Sequence, residues 1–236
     1  MTVKTIKKRT IVEDFEKKGL PFLNHNYNFI EYPDFFQNGT SKKLQCKELG
    51  KKFASINSYF FEYLKGYNIP IAFLESEKKN LLKFIKFEKF DFHVKILNLL
   101  DKRTAKIFGK KEGELLNLPL YEFHYSEEKE SLISESHLLS FNLCTYDNAK
   151  LITRICSKIN AVLRSFFERR NLLLAEVSCY FGKHENKIYV IDDFTPKSIK
   201  VFPAEINSHK FIDPYKLDTS SHVKNYTDQI FHLTSI

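Results

Sequence analysis

Apolar residues along the chain recur at two different periods. From Ala54 to Tyr67 they return at helical spacing, at Ile56, Tyr59, Phe60, Tyr63 and Leu64, which predicts an amphipathic helix. Asn68-Ile69-Pro70 ends it, because the residue before a proline is pushed out of helical geometry. A longer helix is predicted over residues 147–170, with Ala149, Ile152, Ile155, Ile159, Val162, Leu163 and Phe166 on one face. Residues 213–233 predict a closing helix, and Thr104 to Phe108 a short one stopped by Gly109. Strands are predicted at 27–32 (YNFIEY), 71–75 (IAFLE), 90–100 (FDFHVKILNLL) and 120–125 (LYEFHY). LLLAEVSCYFG (172–182) and KIYVIDDF (187–194) read as a hairpin joined by the turn at 182–186. Residues 33–43 carry the turn signals Pro33 and Asn38-Gly39, and residues 1–20 read as a charged short helix or a loose start. Strands and helices mixed with hairpins make the class α+β.

Composition narrows this only a little. The 236 residues are enough for one large domain or two small lobes. The net charge of +8 comes from scattered lysines without a long basic block, so it is a weak argument for nucleic acid. The 35 Phe and Tyr residues fall in a core-forming pattern, and no RNA-binding motif accompanies them. Cys46, Cys144, Cys156 and Cys179 form no C-x-x-C pair and no zinc spacing, which predicts reduced, mostly buried thiols and a cytoplasmic protein. No apolar run approaches a membrane span, and MTVKTIKKRT lacks the apolar segment of a signal peptide.

Four stretches then carry a resemblance. NSYFFEYLKGYNIPIAFLE (57–75), AKIFGKKEGELLNLPLYEFHY (105–125), ESHL (135–138) and FFERRNLLLAEVSCYFGKHENKIYVIDDFTPKSIKVF (166–202) follow, in order and spacing, the motifs of the SAICAR synthetases. The likeness extends over roughly residues 28–232. It implies a two-lobed α+β fold related to the ATP-grasp ligases. A smaller β-rich lobe (1–85) would face a larger α+β lobe (86–236) across a nucleotide cleft. It also implies an ATP- and Mg²⁺-dependent ligase that joins a small-molecule carboxylate to an amine or amino acid. It implies neither a membrane nor a nucleic-acid partner, and it is compatible with a homo-oligomer.

The same resemblance assigns candidate residues. Asp192 stands at a metal position, with Glu176 as a second metal carboxylate and Asp193 beside it on the nucleotide. Glu176 and Lys200 are the candidates for catalysis, and Lys95, Arg103, Ser198 and Lys200 for substrate binding. Mg²⁺ prefers carboxylate oxygens shared with phosphates, and a cation beyond Pro196 can neutralise an anionic substrate group.

The departures from the pattern concern the same chemistry. In D-F-K-L-E-F-G the family's lysine is here Ser178 and its metal glutamate is Tyr180. A phenol with a pKa near 10 is a poor magnesium ligand at neutral pH. The family arginine after Ser-Pro is Lys200, which keeps the charge and loses the bidentate fork. ILNLLDKRT (96–104) replaces an arginine-bearing segment, with Lys95 or Leu97 at the arginine position. The lysine of Y-Y-K-D-D is Ser126, only Asn38-Gly39 remains of another segment, and the phosphate-covering Gly-Lys has no counterpart. His137 reads as a structural histidine, and His93 and His124 receive no role. Two readings stay open: a ligase acting on a substrate outside the purine pathway, or an inactive relative that binds a ligand or partner.

Overall fold

The computed structural model of the chain describes residues 27–37, 42–125, 131–204 and 212–234. The readings made for residues 1–20, Asn38-Gly39 and Ser126 lie outside them. Among the described residues, eleven strands and five helices alternate. They are β1 (Tyr27–Glu31), β2 (Phe35–Phe36), β3 (Leu44–Gln45), α1 (Leu49–Lys65), β4 (Phe73–Lys78), β5 (Leu81–Ile85), β6 (Glu88–Leu99) and α2 (Lys102–Phe108). After these come β7 (Leu115–Tyr125), β8 (Ser131–Ile133), α3 (Glu135–Ser140), α4 (Tyr146–Glu168), β9 (Leu172–His184), β10 (Lys187–Asp192), β11 (Ile199–Pro203) and α5 (Ser220–Thr234).

Two antiparallel sheets carry the fold, one in the order β1-β5-β4 and the other in the order β10-β9-β6-β7-β8. β11 also pairs with β9, along residues 172–177, while β10 pairs with it along 180–184. Two successive strands therefore share one flank of β9, and the loop between them, 193–198, sits over its middle. The sheets are stitched together where Ala72 N donates to Val190 O at 2.9 Å and Val190 N donates to Pro70 O at 2.8 Å.

The large sheet has two chemically distinct faces because side chains alternate along a strand. Phe92, Val94 and Ile96 of β6 and Val177, Cys179 and Phe181 of β9 face α4 and are buried with Ile152, Ile159 and Leu163. One polar pair interrupts this apolar layer: Asn98 and Asn160 exchange two side-chain hydrogen bonds of 2.8 and 2.9 Å. The opposite face of the same strands carries His93, Lys95, Glu176, Ser178 and Tyr180.

The helix ends show local and remote capping. Asp101 accepts from Thr104 N at 2.7 Å to start α2, and Gly109, at φ 61°, closes it in the left-handed conformation that glycine tolerates best. α1 begins at Leu49, five residues before the predicted start, because Asp34 reaches across from the loop after β1 and accepts from Gly50 N at 2.9 Å. A Cβ at position 50 would overlap the Tyr32 carbonyl, so this junction requires glycine. The predicted helix over 213–233 starts only at Ser220; Asp213 and Pro214 sit in a turn before it. The predicted strand at 71–75 is β4 at 73–78, paired with β5, which the sequence reading had not named. No helix among the described residues is long and apolar enough to cross a membrane.

Replacing Asn160 by Ala leaves the buried Asn98 amide without its partner. Chemical denaturation is expected to show a loss of about 1–3 kcal/mol for Asn160→Ala. The double variant Asn98→Leu/Asn160→Leu is expected to lose less, because neither polar group is then left unsatisfied.

Candidate functional site

The polar face of the large sheet is built by register. Glu176 of β9 lies opposite Lys200 of β11 on one side and Leu97 of β6 on the other. Ser178 lies opposite Lys95, and Lys95 opposite Glu122 of β7. Tyr180 lies opposite Asp192 of β10 and His93 of β6, and His93 opposite His124. Two rows of side chains thus run across the sheet, one ionic and one aromatic.

The ionic row is buried at its Glu176–Lys200 end, while Lys95 and Glu122 are partly exposed. Glu176 and Lys200 are each only 6% exposed. Glu176 accepts a hydrogen bond from Tyr215 Oη through Oε2 at 3.2 Å, and its Oε1 stands 4.0 Å from Lys95 Nζ. Lys200 Nζ donates to Pro196 O at 2.8 Å. Burial is the largest influence on Lys200 and lowers its pKa to about 8; Glu176 opposes that shift, Lys95 adds to it, and Asp193 and Asp213 oppose it. Burial also raises the Tyr215 hydroxyl, and the Glu176 carboxylate beside it raises it further, so it stays a neutral donor. Arg103 pairs with Glu122 at 2.5 Å, and His124 Nε2 lies 3.1 Å from the other Glu122 oxygen. Burial alone would raise the Glu122 carboxyl, but His124 and Arg103 together hold its pKa below the ordinary value.

The aromatic row is a stack. The Tyr180 and His93 rings lie 4.8 Å apart at 25°, and His93 and His124 lie 5.4 Å apart at 20°. Tyr180 therefore packs as a ring beside Asp192 where the resemblance expects a second carboxylate. Asp192 also accepts from Tyr32 Oη at 3.4 Å. Burial, followed by the Asp192 and Asp193 charges, raises the Tyr32 hydroxyl well above its usual value.

The loop between the rows is locked from beneath. Phe194 N donates to the buried Asn57 Oδ1 of α1 at 2.6 Å, and its ring packs 5.6 Å from Phe61. Asp193 accepts from Thr195 N at 2.9 Å, and the Ser198 hydroxyl donates to the Asp193 carbonyl. Ser198 O accepts from Ser178 N at 2.9 Å, tying the loop to β9. Tyr226 of α5 secures the far side: its hydroxyl donates to Ile199 O and accepts from Val201 N, both at 3.0 Å, across the bulge that sets Lys200.

These positions bear on each sequence-predicted candidate. Lys95, Glu176 and Lys200 come together. Arg103 reaches the same face through Glu122. Ser198 turns its hydroxyl into the loop. Asp192 and Asp193 are adjacent, but Glu176 stands four residues from the Asp192 partner Tyr180, about 13 Å along the strand. Glu176 and Asp192 thus belong to different rows. His124, which received no role from the sequence, has Glu122 beside it at i−2 on the same strand face, a spacing the alternation already contained. Tyr215, Asn57 and Tyr32 were missed; each reaches the site from an element remote in sequence, and only the fold brings it there. His137 serves the N-terminus of α3, accepting from Ser134 N at 3.1 Å.

The SAICAR synthetase family model matches residues 37–229. The chain belongs to the SAICAR synthetase family. A phosphoribosylaminoimidazole-succinocarboxamide synthase of Clostridium novyi is 28% identical over 229 residues, covering 94% of this chain and 96% of that protein. Among solved structures, the synthase of Ehrlichia chaffeensis superposes with a TM-score of 0.81 at 22% identity, covering 91% of this chain and 94% of that one. A SAICAR synthetase in complex with ADP superposes equally well, with a TM-score of 0.81 at 22% identity over the same 91% and 94%. The α+β fold of the SAICAR synthetases is thus present in this chain.

The depressed Lys200 pKa has a consequence for stability. Below about pH 8 the group is protonated in both states and folding carries the full cost of burying its charge. Between about 8 and the ordinary 10.5, the unfolded chain holds the proton and the folded chain does not, so stability rises with pH. The rise attributable to Lys200 is about 3 kcal/mol. It is expected as the difference between the wild-type and Lys200→Met pH profiles in urea denaturation.

Proposed function

We propose that this member of the SAICAR synthetase family is an ATP-dependent ligase that joins a carboxylate to an amine, and that its carboxylate substrate lies outside the purine pathway. The observation that carries the reading is the locked 192–198 loop. It presents the Asp192-Asp193 pair beside the Lys95–Glu176–Lys200 row, of which Glu176 and Lys200 are buried, on one sheet face. The ADP complex of a related fold supports a nucleotide here. The nucleotide would lie between an N-terminal lobe of residues 1–85 and a C-terminal lobe of 86–236. The change from the three-stranded to the larger sheet between β5 and β6 supports that boundary.

In such a reaction a carboxylate oxygen attacks the γ-phosphorus of ATP and ADP leaves. The amine nitrogen then attacks the acyl carbon, the C–N bond forms, and phosphate leaves with the C–O electron pair. This chain's residues contribute by position and charge. Lys95 and Lys200 supply positive charge opposite the acceptor carboxylate, and Glu176 fixes the first of them. Tyr32 orients Asp192, and Asn57 holds the loop backbone. The donor chemistry fits Mg²⁺ in its usual phosphate-shared form: Asp192 and Asp193 offer hard oxygens. Among the described residues no group of three or more His, Cys, Asp or Glu converges on an ion. A bound Mg²⁺ would neutralise phosphate charge.

A second reading rests on Tyr180. Its ring is committed to the His93 stack at the place of the family glutamate, which favours an inactive relative that binds a ligand or a partner. Calorimetric titration of ATP with and without Mg²⁺ separates the two. The ligase reading expects Mg²⁺-dependent binding that weakens about tenfold or more in Asp192→Ala, the effect of losing a charge-assisted contact. No binding at millimolar ATP would sink it in favour of the second reading.

A further inference from the structure

Away from the sheet face, α1, the β4–β5 turn and the end of α5 border an open cavity of about 410 Å³. That volume falls in the range of small-molecule sites, roughly 300–1,000 Å³. α1 supplies Lys51, Ser55 and Ser58 to the wall, a single helical stripe at i, i+4 and i+7. β4 and the turn after it supply Ser76, Lys78 and Lys79, and α5 supplies Thr234. Asn57, the α1 residue that holds the 192–198 loop, is buried on a different side of the helix. The cavity therefore lies apart from the ionic and aromatic rows, and none of their residues lines it.

The wall is of one sign. It carries three ammonium groups and, among the described residues, no carboxylate. Strand alternation produces the separation on β4. Glu75 and Glu77 turn to Lys83 on one face, at 2.9 and 3.2 Å. Ser76, between them, turns to α1, where its hydroxyl donates to Ser58 Oγ at 3.4 Å. On the bordering helices Glu62 is held by Lys65 at 2.7 Å, and Asp228 by Lys52. Glu31 accepts from the Asn80 side chain at 3.3 Å, and Glu48, just before α1, stands outside the lining. The lysines that hold these carboxylates, Lys52, Lys65 and Lys83, are not those of the cavity.

A concave surface of one charge sign concentrates ions of the other. Ammonium groups act as point charges on phosphate oxygens, and hydroxyls add neutral donors. A monocarboxylate would use one ammonium group, whereas an anion with several charged oxygens can engage α1 and the β4–β5 turn together. We propose that this cavity is a second ligand site of the chain, binding a small, multiply charged anion of the phosphate class. Lys51 serves it from α1 and Lys79 from the turn, with Ser55, Ser58 and Ser76 as hydroxyl donors. The lysines are exposed, so the binding is screened by salt. The site does not draw on the ligase reading.

The test is calorimetric titration of inorganic pyrophosphate into the full chain in magnesium-free buffer. Saturable binding is expected that weakens as salt is raised. It is expected to be at least about tenfold weaker in Lys51→Ala/Lys79→Ala, the effect of losing charge-assisted contacts. Both positions are exposed, so the double variant is expected to keep its fold, checked by circular dichroism. Lys95→Met, on the sheet face, is expected to bind pyrophosphate as the wild type does. Absence of saturable binding at millimolar pyrophosphate would overturn the proposal. So would binding that persists unchanged in the lysine double variant, or binding that Lys95→Met abolishes. MgATP titration of the same samples reports separately on the ligase reading, and its failure leaves the pyrophosphate comparison readable.

Discussion

The arrangement rests on a charged row whose Glu176–Lys200 end is buried inside a sheet face. A lysine and a glutamate with only 6% of their surface exposed are costly to remove from water, and they persist only where geometry supplies partners. Here the partners come from four directions: Lys95 on β6, Tyr215 in the turn before α5, the Pro196 carbonyl in the loop, and each other across β9 and β11. Removing either member leaves the other as a buried charge with reduced compensation. This explains why so much of the surrounding scaffold is devoted to fixing backbone rather than enlarging the core.

That devotion is visible in the 192–198 loop. Two polar side chains from different helices act on its flanks as substitutes for secondary structure: Asn57 from α1 and Tyr226 from α5. Phe194 then anchors the loop in an aromatic cluster with Phe60 and Phe61. The acidic pair is consequently fixed by side-chain contacts although no strand contains Asp193. Catalytic groups on loops usually gain position from the scaffold beneath them, and this loop takes its position from two helices, α1 and α5, and from β9 at once.

Much of this was legible in the sequence, and the limits were physical. The face of α4 followed from its 3.6-residue period, and the β9–β10 hairpin from two apolar runs around a short turn. The helix α1 was placed five residues late because its cap is Asp34, outside any local window. β5 and β11 were not recognised: each is five residues long, and their pairing partners decide that they are strands. The closing helix was extended back through Asp213 and Pro214, where a turn intervenes. At the site, the resemblance supplied Asp192, Glu176, Lys95 and Lys200. It grouped Glu176 with Asp192, whereas the register groups it with the lysines. A one-dimensional motif records the order of residues, and strand pairing decides which of them meet.

The Tyr226 contact also bears on the order in which the protein takes shape during synthesis. The bulge that sets Lys200 is completed by a hydroxyl twenty-six residues further along the chain. A nascent chain that has emerged only as far as β11 can pair that strand with β9 but cannot hold its irregular step. The sheet face therefore gains its final charge arrangement only after α5 docks. Until then the emerging chain lacks both that clamp and the apolar face of α5, whose Val223, Tyr226 and Ile230 belong to the core.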